Sequence, residues 1–168
     1  RGFVFASLAE DGAEFEDFLA GVKSSLDNFC DRAPEGTVSV AGGVFRVVQR
    51  SNWKIFFENL NDTGHPIATH ESSYRAARQY SEEVLDGELP FELHIIDGNG
   101  APPKFWSDLD LHAFDYGHSY MTAIFNAPDD PLSQQYFASL AAKVGEDRAE
   151  DILAVNRHNT IIYPSCSP

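Results

Sequence analysis

Gly64-His65-Pro66 sets the strongest constraint on how this chain can fold. Glycine is a poor helix-interior residue because ordering its free backbone costs the most entropy. Proline lacks an N–H and drives the residue before it out of the α region, so no straight helix runs through this triplet. Pro66 does suit the first position of a new helix. The sequence therefore predicts a helix over 52–61, a junction, and a second helix from Pro66 to about Val84. Ser51 or Asn52 can cap the first. Trp53, Phe56, Phe57 and Leu60 recur at helical spacing as its apolar stripe, expected to face the core while the helix end presents Asp62. Tyr74, Ala77 and Tyr80 share one face of the second.

The junction carries chemistry. Asp62-Thr63-Gly64-His65-Pro66-Ile67-Ala68-Thr69-His70 reads D-x-x-H-x-x-x-x-H. On an unbroken helix, five residues turn a side chain by about 140°, so the two rings would diverge. A break or a wider turn brings them together. His65 is expected at the junction and His70 about one turn into the second helix. Neutral imidazole suits iron, zinc, copper and nickel, and two histidines with one carboxylate leave open positions on Fe(II) for dioxygen and substrate. Two histidines at this spacing are also common without any metal role, and alone they fit zinc as well as iron.

The flanking residues are more specific. Asn52-Trp53-Lys54, Glu58-Asn59 and the junction together read N-W-K-x-x-x-E-N-x-x-D-x-x-H-x-x-x-x-H. This string resembles the iron-binding signature of Rieske-type non-haem iron oxygenases, the ring-hydroxylating oxygenase large (alpha) subunits. A second run, G-x-x-R-A-x-x-I-L over 145–153 followed by N-R-H-N-x-x-I-Y-P over 156–164, is similar to the same family. The resemblance implies that His65 and His70 are two of three iron ligands. It implies that Asp62 hydrogen-bonds a ligand histidine and helps electrons arrive from a neighbouring subunit's cluster, and that Asn59 lies near the iron without ligating it. The third ligand, an Asp, is expected beyond Pro168, and no residue here matches its motif. Residues 1–12 would be the end of the Rieske domain or a linker strand, and 13–168 part of a catalytic iron-binding domain cut at both ends. The implied activity is oxygen insertion into an organic, commonly aromatic, substrate. The implied cofactors are Fe(II) and, in the full-length protein only, a Rieske [2Fe-2S] cluster. The implied electron source is NAD(P)H through a reductase, with or without a ferredoxin. A homotrimer is implied, with or without a small beta subunit. Dihydroxylation, monooxygenation and demethylation remain undivided.

Composition bounds the rest. At 168 residues the chain suits one domain, and 43% hydrophobic residues with 13 Phe support a core. A formal net charge of -14 argues against nucleic acid or an anionic membrane as partner. No apolar run approaches the length of a membrane span. Cys30 and Cys166 lie in no C-x-H or C-x-x-H pair, so the chain cannot hold an iron-sulfur cluster alone. Two widely spaced thiols fit a reducing compartment, hence the cytoplasm. No G-x-S-x-G, G-x-x-x-x-G-K or G-x-G-x-x-G is present.

Elsewhere, periodicity predicts a strand over 1–8, a helix over 13–29, a hairpin of strands at 38–40 and 44–50, and a strand over 91–95 closed by a turn at 97–100. Strands follow near 110–116 and 119–126, helices over 131–144 and 146–157, and a strand over 159–163. The fold class expected is α+β, an antiparallel sheet with packed helices; the resemblance makes it an incomplete helix-grip (Bet v 1-like) domain. His94, His112, His118 and His158 read as surface or core histidines. Asp108, Asp110 or Asp115 is a remote candidate for the missing carboxylate. Two other readings stand: a non-catalytic helix-grip ligand-binding module, indifferent to His65→Ala, and a zinc hydrolase. Two neutral histidines without a carboxylate should hold Fe(II) weakly, and an unpaired sheet edge invites self-association, so the piece alone is expected to show little turnover.

Overall fold

The computed structural model describes residues 2–39, 46–107, 109–124, 131–164 and 166–167. In chain order the regular elements among them are α1 (Phe15–Leu19), α2 (Lys23–Asp31), α3 (Trp53–Asn61), α4 (Pro66–Thr69), α5 (Glu71–Val84), α6 (Phe91–Asp97), α7 (Pro103–Ser107), β1 (Asp110–Ala113), β2 (Ser119–Ile124), α8 (Pro131–Val144), α9 (Glu146–Ala154) and β3 (Val155–Ile161). Single 3-10 turns link α1 to α2, follow α6 and join β1 to β2. The architecture is α+β with an antiparallel sheet, consistent with the helix-grip expectation. The chain divides into two compact units, residues 1–53 with 110–168, and residues 54–109. No helix among the described residues is long and apolar enough to cross a membrane.

The first unit is built on the sheet β1-β2-β3, antiparallel throughout. Leu111 faces Met121 across one pair of strands, and Thr122 faces Arg157 across the other. The β1–β2 reversal needs left-handed backbone at Tyr116 (φ 61) and Gly117 (φ 83), and the Phe114 N–H closes it on the His118 carbonyl at 2.9 Å. Leu19, Val22 and Leu26 pack with Tyr120 and Ile162 to form one core cluster, flanked by Phe18 and Phe114. A second cluster joins Leu140 of α8 to Ala149, Ile152 and Leu153 of α9. Gly145 (φ 89) ends α8 and begins α9, as the sequence predicts.

Polar contacts tie these layers together. Ser25 of α2 and Thr160 of β3 are hydrogen-bonded in the interior at 2.6 Å. Asn28 and Arg32 donate to the Ile152 carbonyl at 2.9 and 3.2 Å, and Arg32 reaches the Val155 carbonyl at 2.8 Å. These bonds satisfy carbonyls that the end of α9 leaves open. They also account for a correction: the predicted helix over 146–157 stops at Ala154, and β-branched Val155 begins the strand, opposite Ile124.

Other expectations are corrected too. Residues 2–8 form no strand, although Phe3 and Phe5 turn inward while Val4 stays exposed. The period-2 pattern is expressed as burial without a ladder. The helix over 13–29 is broken at Ala20 (φ 41) into two. There Gly21 lies so close to the Phe114 ring that a Cβ would come within 2.2 Å of it. The hairpin proposed at 38–50 falls partly on 40–45, outside the described residues, and 46–50 has no regular structure. The run 91–95 is helical rather than extended. The His94 N–H donates to the Pro90 carbonyl at 2.9 Å, and Asn99 closes the Ile96 carbonyl at 3.1 Å. Alternation over only five residues does not by itself separate the two periods. The predicted turn at 97–100 begins with the end of this helix and continues as a 3-10 turn over Gly98–Gly100.

His118 locks the first unit. It is buried; its Nε2 lies 2.8 Å from the Phe18 carbonyl, and its Nδ1 accepts the Tyr163 N–H at 3.0 Å. Accepting at Nδ1 fixes the neutral tautomer with its proton on Nε2. Burial pushes its pKa below the usual 6.5, outweighing the Phe18 bond. The unfolded chain therefore binds the extra proton first, so stability falls as pH drops below about 6.5 toward the folded-state value. In pH-dependent thermal melts, His118→Gln should flatten this slope. It should also cost roughly 1–3 kcal/mol at pH 8 through the polar groups it leaves unpaired. An unchanged slope would contradict the account.

Candidate metal centre

The second unit is helical, and its central feature is the break around α4. His65 is the residue before α4, Pro66 its first position, and His70 the residue after it. His70 is also the residue before α5, with φ -98 and ψ 13. The predicted single helix from Pro66 to Val84 is therefore two, and His70 sits at a second break rather than one turn inside a continuous helix. Thr69 contributes to the distortion. Its hydroxyl donates to the His65 carbonyl at 2.9 Å, a back-bond that bends helices. A threonine four residues after the first histidine was the sequence signal for this bend.

The breaks flank the pair rather than divide it: His65 keeps αR backbone despite the proline after it, and the Thr69 and His70 N–H groups donate to the His65 and Pro66 carbonyls at 2.9 and 3.0 Å, yet the two rings converge. The Nε2 atoms of His65 and His70 lie 3.4 Å apart, with ring centroids 5.3 Å apart and planes inclined by 49°. Both side chains are partly shielded from solvent. Imidazole nitrogens bind metal ions at about 2.0–2.1 Å. Twice that reach exceeds 3.4 Å, so both nitrogens can approach one ion without moving apart. Without an ion, the same separation suits a weak N–H···N contact between neutral rings.

Asp62 stands where the outer end of His65 needs an acceptor. His65 Nδ1 is buried and has no hydrogen-bond partner. Asp62 Oδ2 is 3.5 Å from it, longer than an ordinary N–H···O bond. The other carboxylate oxygen accepts the Gly64 N–H at 2.7 Å, a local turn that aims the side chain. A carboxylate behind Nδ1 leaves the Nε2 lone pair free for a ligand. The residues present thus fit two donors of a metal centre and the support of one. Among the described residues, no group of three His, Cys, Asp or Glu is placed to hold an ion.

The remaining candidates fall elsewhere. The side chain of Asn59 is exposed, and its link to the site is through the backbone, where its carbonyl accepts the Asp62 N–H at 3.4 Å. His94 is exposed on α6. His112 on β1 lies 3.2 Å from the Thr122 hydroxyl and stacks near Tyr120. Asp110 and Asp115 are exposed; Asp108 and the side chain of His158 lie outside the described residues. A cleft of about 860 Å³ between the end of α2 and α8, lined by Phe29, Leu132 and Tyr136, touches neither histidine. Burial raises the Cys166 thiol pKa, which disfavours the thiolate needed to ligate a metal.

No family model matches the chain. The toluate 1,2-dioxygenase alpha subunit of Pseudomonas putida is 32% identical over 168 residues, covering 98% of this chain. The benzene 1,2-dioxygenase alpha subunit of Pseudomonas putida is 26% identical over 177 residues, covering 99%. The N,N-dimethyl phenylurea N-demethylase alpha subunit of Sphingobium sp. (strain YBL2) is 32% identical over 86 residues, covering 51%. The chain spans about a third of the length of the two dioxygenase subunits, 34% and 36%, and 18% of the demethylase subunit.

The Asp62 contact is testable without a metal. In wild type, long-range 1H–15N NMR of the imidazoles should show His65 protonated mainly at Nδ1. Asp62→Ala should shift the population toward the Nε2 tautomer. Equal tautomer populations in the two proteins would remove Asp62 from the site.

Proposed function

We propose, for a chain that belongs to the ring-hydroxylating dioxygenase alpha-subunit family, that it is the part of a catalytic domain that holds a mononuclear iron through His65 and His70. The observation that carries this is the 3.4 Å separation of two ring nitrogens across one short helical turn, with a carboxylate behind one of them. When bound, ferrous iron supplies the activation of dioxygen for insertion into an organic, commonly aromatic, substrate. The chain's own residues do the holding. Pro66 and the kink at His70 aim the rings at one point. Asp62 keeps the proton of His65 on Nδ1 and stands on the route by which electrons reach the site. Asn59, one turn before Asp62, lies near the iron without ligating it. The third ligand, a carboxylate, is supplied by sequence outside these 168 residues.

The larger protein follows from this reading. Electrons come from NAD(P)H through a reductase, with or without a ferredoxin, and a Rieske [2Fe-2S] cluster carried outside this chain. Residues 1–12 are the end of the cluster domain or its linker, and 13–168 part of the iron-binding domain. The working assembly is a homotrimer in the cytoplasm, with or without a small beta subunit, and its organic substrate and dioxygen meet at the iron. The acidic surface, net charge -14, suits basic protein partners rather than nucleic acid.

Anaerobic Fe(II) titration of the purified chain tests the reading. Wild type should bind weakly, because two neutral donors lack the anionic third. His65→Ala and His70→Ala should each lower the affinity about tenfold or more, on the scale of losing a ligand or its support. Indifference to both substitutions would favour a ligand-binding module without metal. Zinc in place of iron in anaerobic metal analysis of a full-length protein would favour a hydrolase.

A further inference from the structure

The short helix between the histidines has its own brace. α4 is a single turn, and isolated turns do not hold themselves together in water. In an unbroken helix the Ile67 carbonyl would accept the Glu71 N–H. Here the Tyr74 hydroxyl donates to it at 3.3 Å. Side chains on a helix lean toward its N-terminus, so a tyrosine in the first turn of α5 can reach back over the kink at His70. Ile67 lies between the two histidines, so this bond pins the one segment that sets their separation.

The tyrosine is held in turn. One turn further along α5, the Arg78 guanidinium sits 5.0 Å above the Tyr74 ring, a cation–π arrangement. Arg78 also pairs with Asp97 at the end of α6. Gly100 lies against both groups: an added Cβ there would stand 2.7 Å from the Tyr74 ring and 3.0 Å from the guanidinium. Only a residue without a side chain leaves the ring where it is.

We propose that Tyr74 is a positioning residue for the two-histidine cradle: its hydroxyl, anchored on Ile67 and steadied by Arg78 and Gly100, fixes the approach of His65 to His70. This rests on the metal-holding reading of the pair. Tyr74 touches neither ring in that role and acts through α4.

Cobalt(II) serves as the probe, titrated into the purified chain under argon and followed by its visible ligand-field absorption, with a thermal melt of each variant. Tyr74→Phe keeps the ring and its stacking and removes only the hydroxyl. It should weaken Co(II) binding about tenfold, the scale for losing an outer support of a metal ligand, and change the band shape, while its melting temperature stays near wild type. Gly100→Ala keeps the hydroxyl but displaces the ring, and should shift affinity in the same direction. His65→Ala is the control for the cradle itself. Wild-type affinity and band shape in Tyr74→Phe overturn the proposal and leave the metal reading standing. Equal binding by wild type and His65→Ala overturns both. Should Tyr74→Phe fail to fold, Gly100→Ala decides, and unchanged affinity there overturns the proposal.

Discussion

The two imidazoles meet across a single intact helical turn that is set off from its neighbours at both ends. A regular helix would turn them apart by about 140°. Here that turn is isolated by Gly64 on one side and a kink at His70 on the other, with Thr69 back-bonded within it, and the rings still converge. The result is a 3.4 Å gap between ring nitrogens. The rest of the helical unit keeps that geometry. Asp62 turns back on the Gly64 N–H to meet His65, and the Tyr74 hydroxyl holds the Ile67 carbonyl. Each of these contacts is local in sequence, so the pair forms from one short segment.

That locality explains why the site was legible before the fold. The glycine states the break outright, and D-x-x-H-x-x-x-x-H singles out the two histidines and the carboxylate that the structure brings together. The kink at His70 was less legible. It needs the hydroxyl of Thr69 and the reach of Tyr74, and neither announces itself through periodicity. The strands β1 and β2 were readable from their alternation, but the predicted strand near 110–116 ran on into the reversal at Asp115-Tyr116-Gly117. The start of β3 at Val155 was not, since Arg32, 120 or more residues away, supplies the bonds that close α9. Residues 91–95 were misread because alternation over five positions carries too little information against a helix that begins at Pro90.

The apolar stripe of α3 gives a different lesson. Expected to face the core, Trp53 and Phe56 are 47% and 50% exposed, Phe57 and Leu60 are half-buried, and no residue of the helix is buried. A stripe at helical spacing tells that a helix has an apolar face; it does not tell what that face meets. The chain spans about a third of the dioxygenase subunits it resembles, and surfaces that read as core in a sequence need not be core within such a span. The same holds for the donor set. Two nitrogens and a supporting carboxylate lie together here, and the described residues bring no third ligand to them.

The most direct test is structural: crystals of the chain soaked anaerobically in Fe(II), with anomalous diffraction recorded at the iron edge. The account predicts one peak shared by His65 and His70, about 2.0–2.2 Å from each Nε2. Iron bound to one ring alone, or rings that swing apart to leave the peak elsewhere, would contradict it.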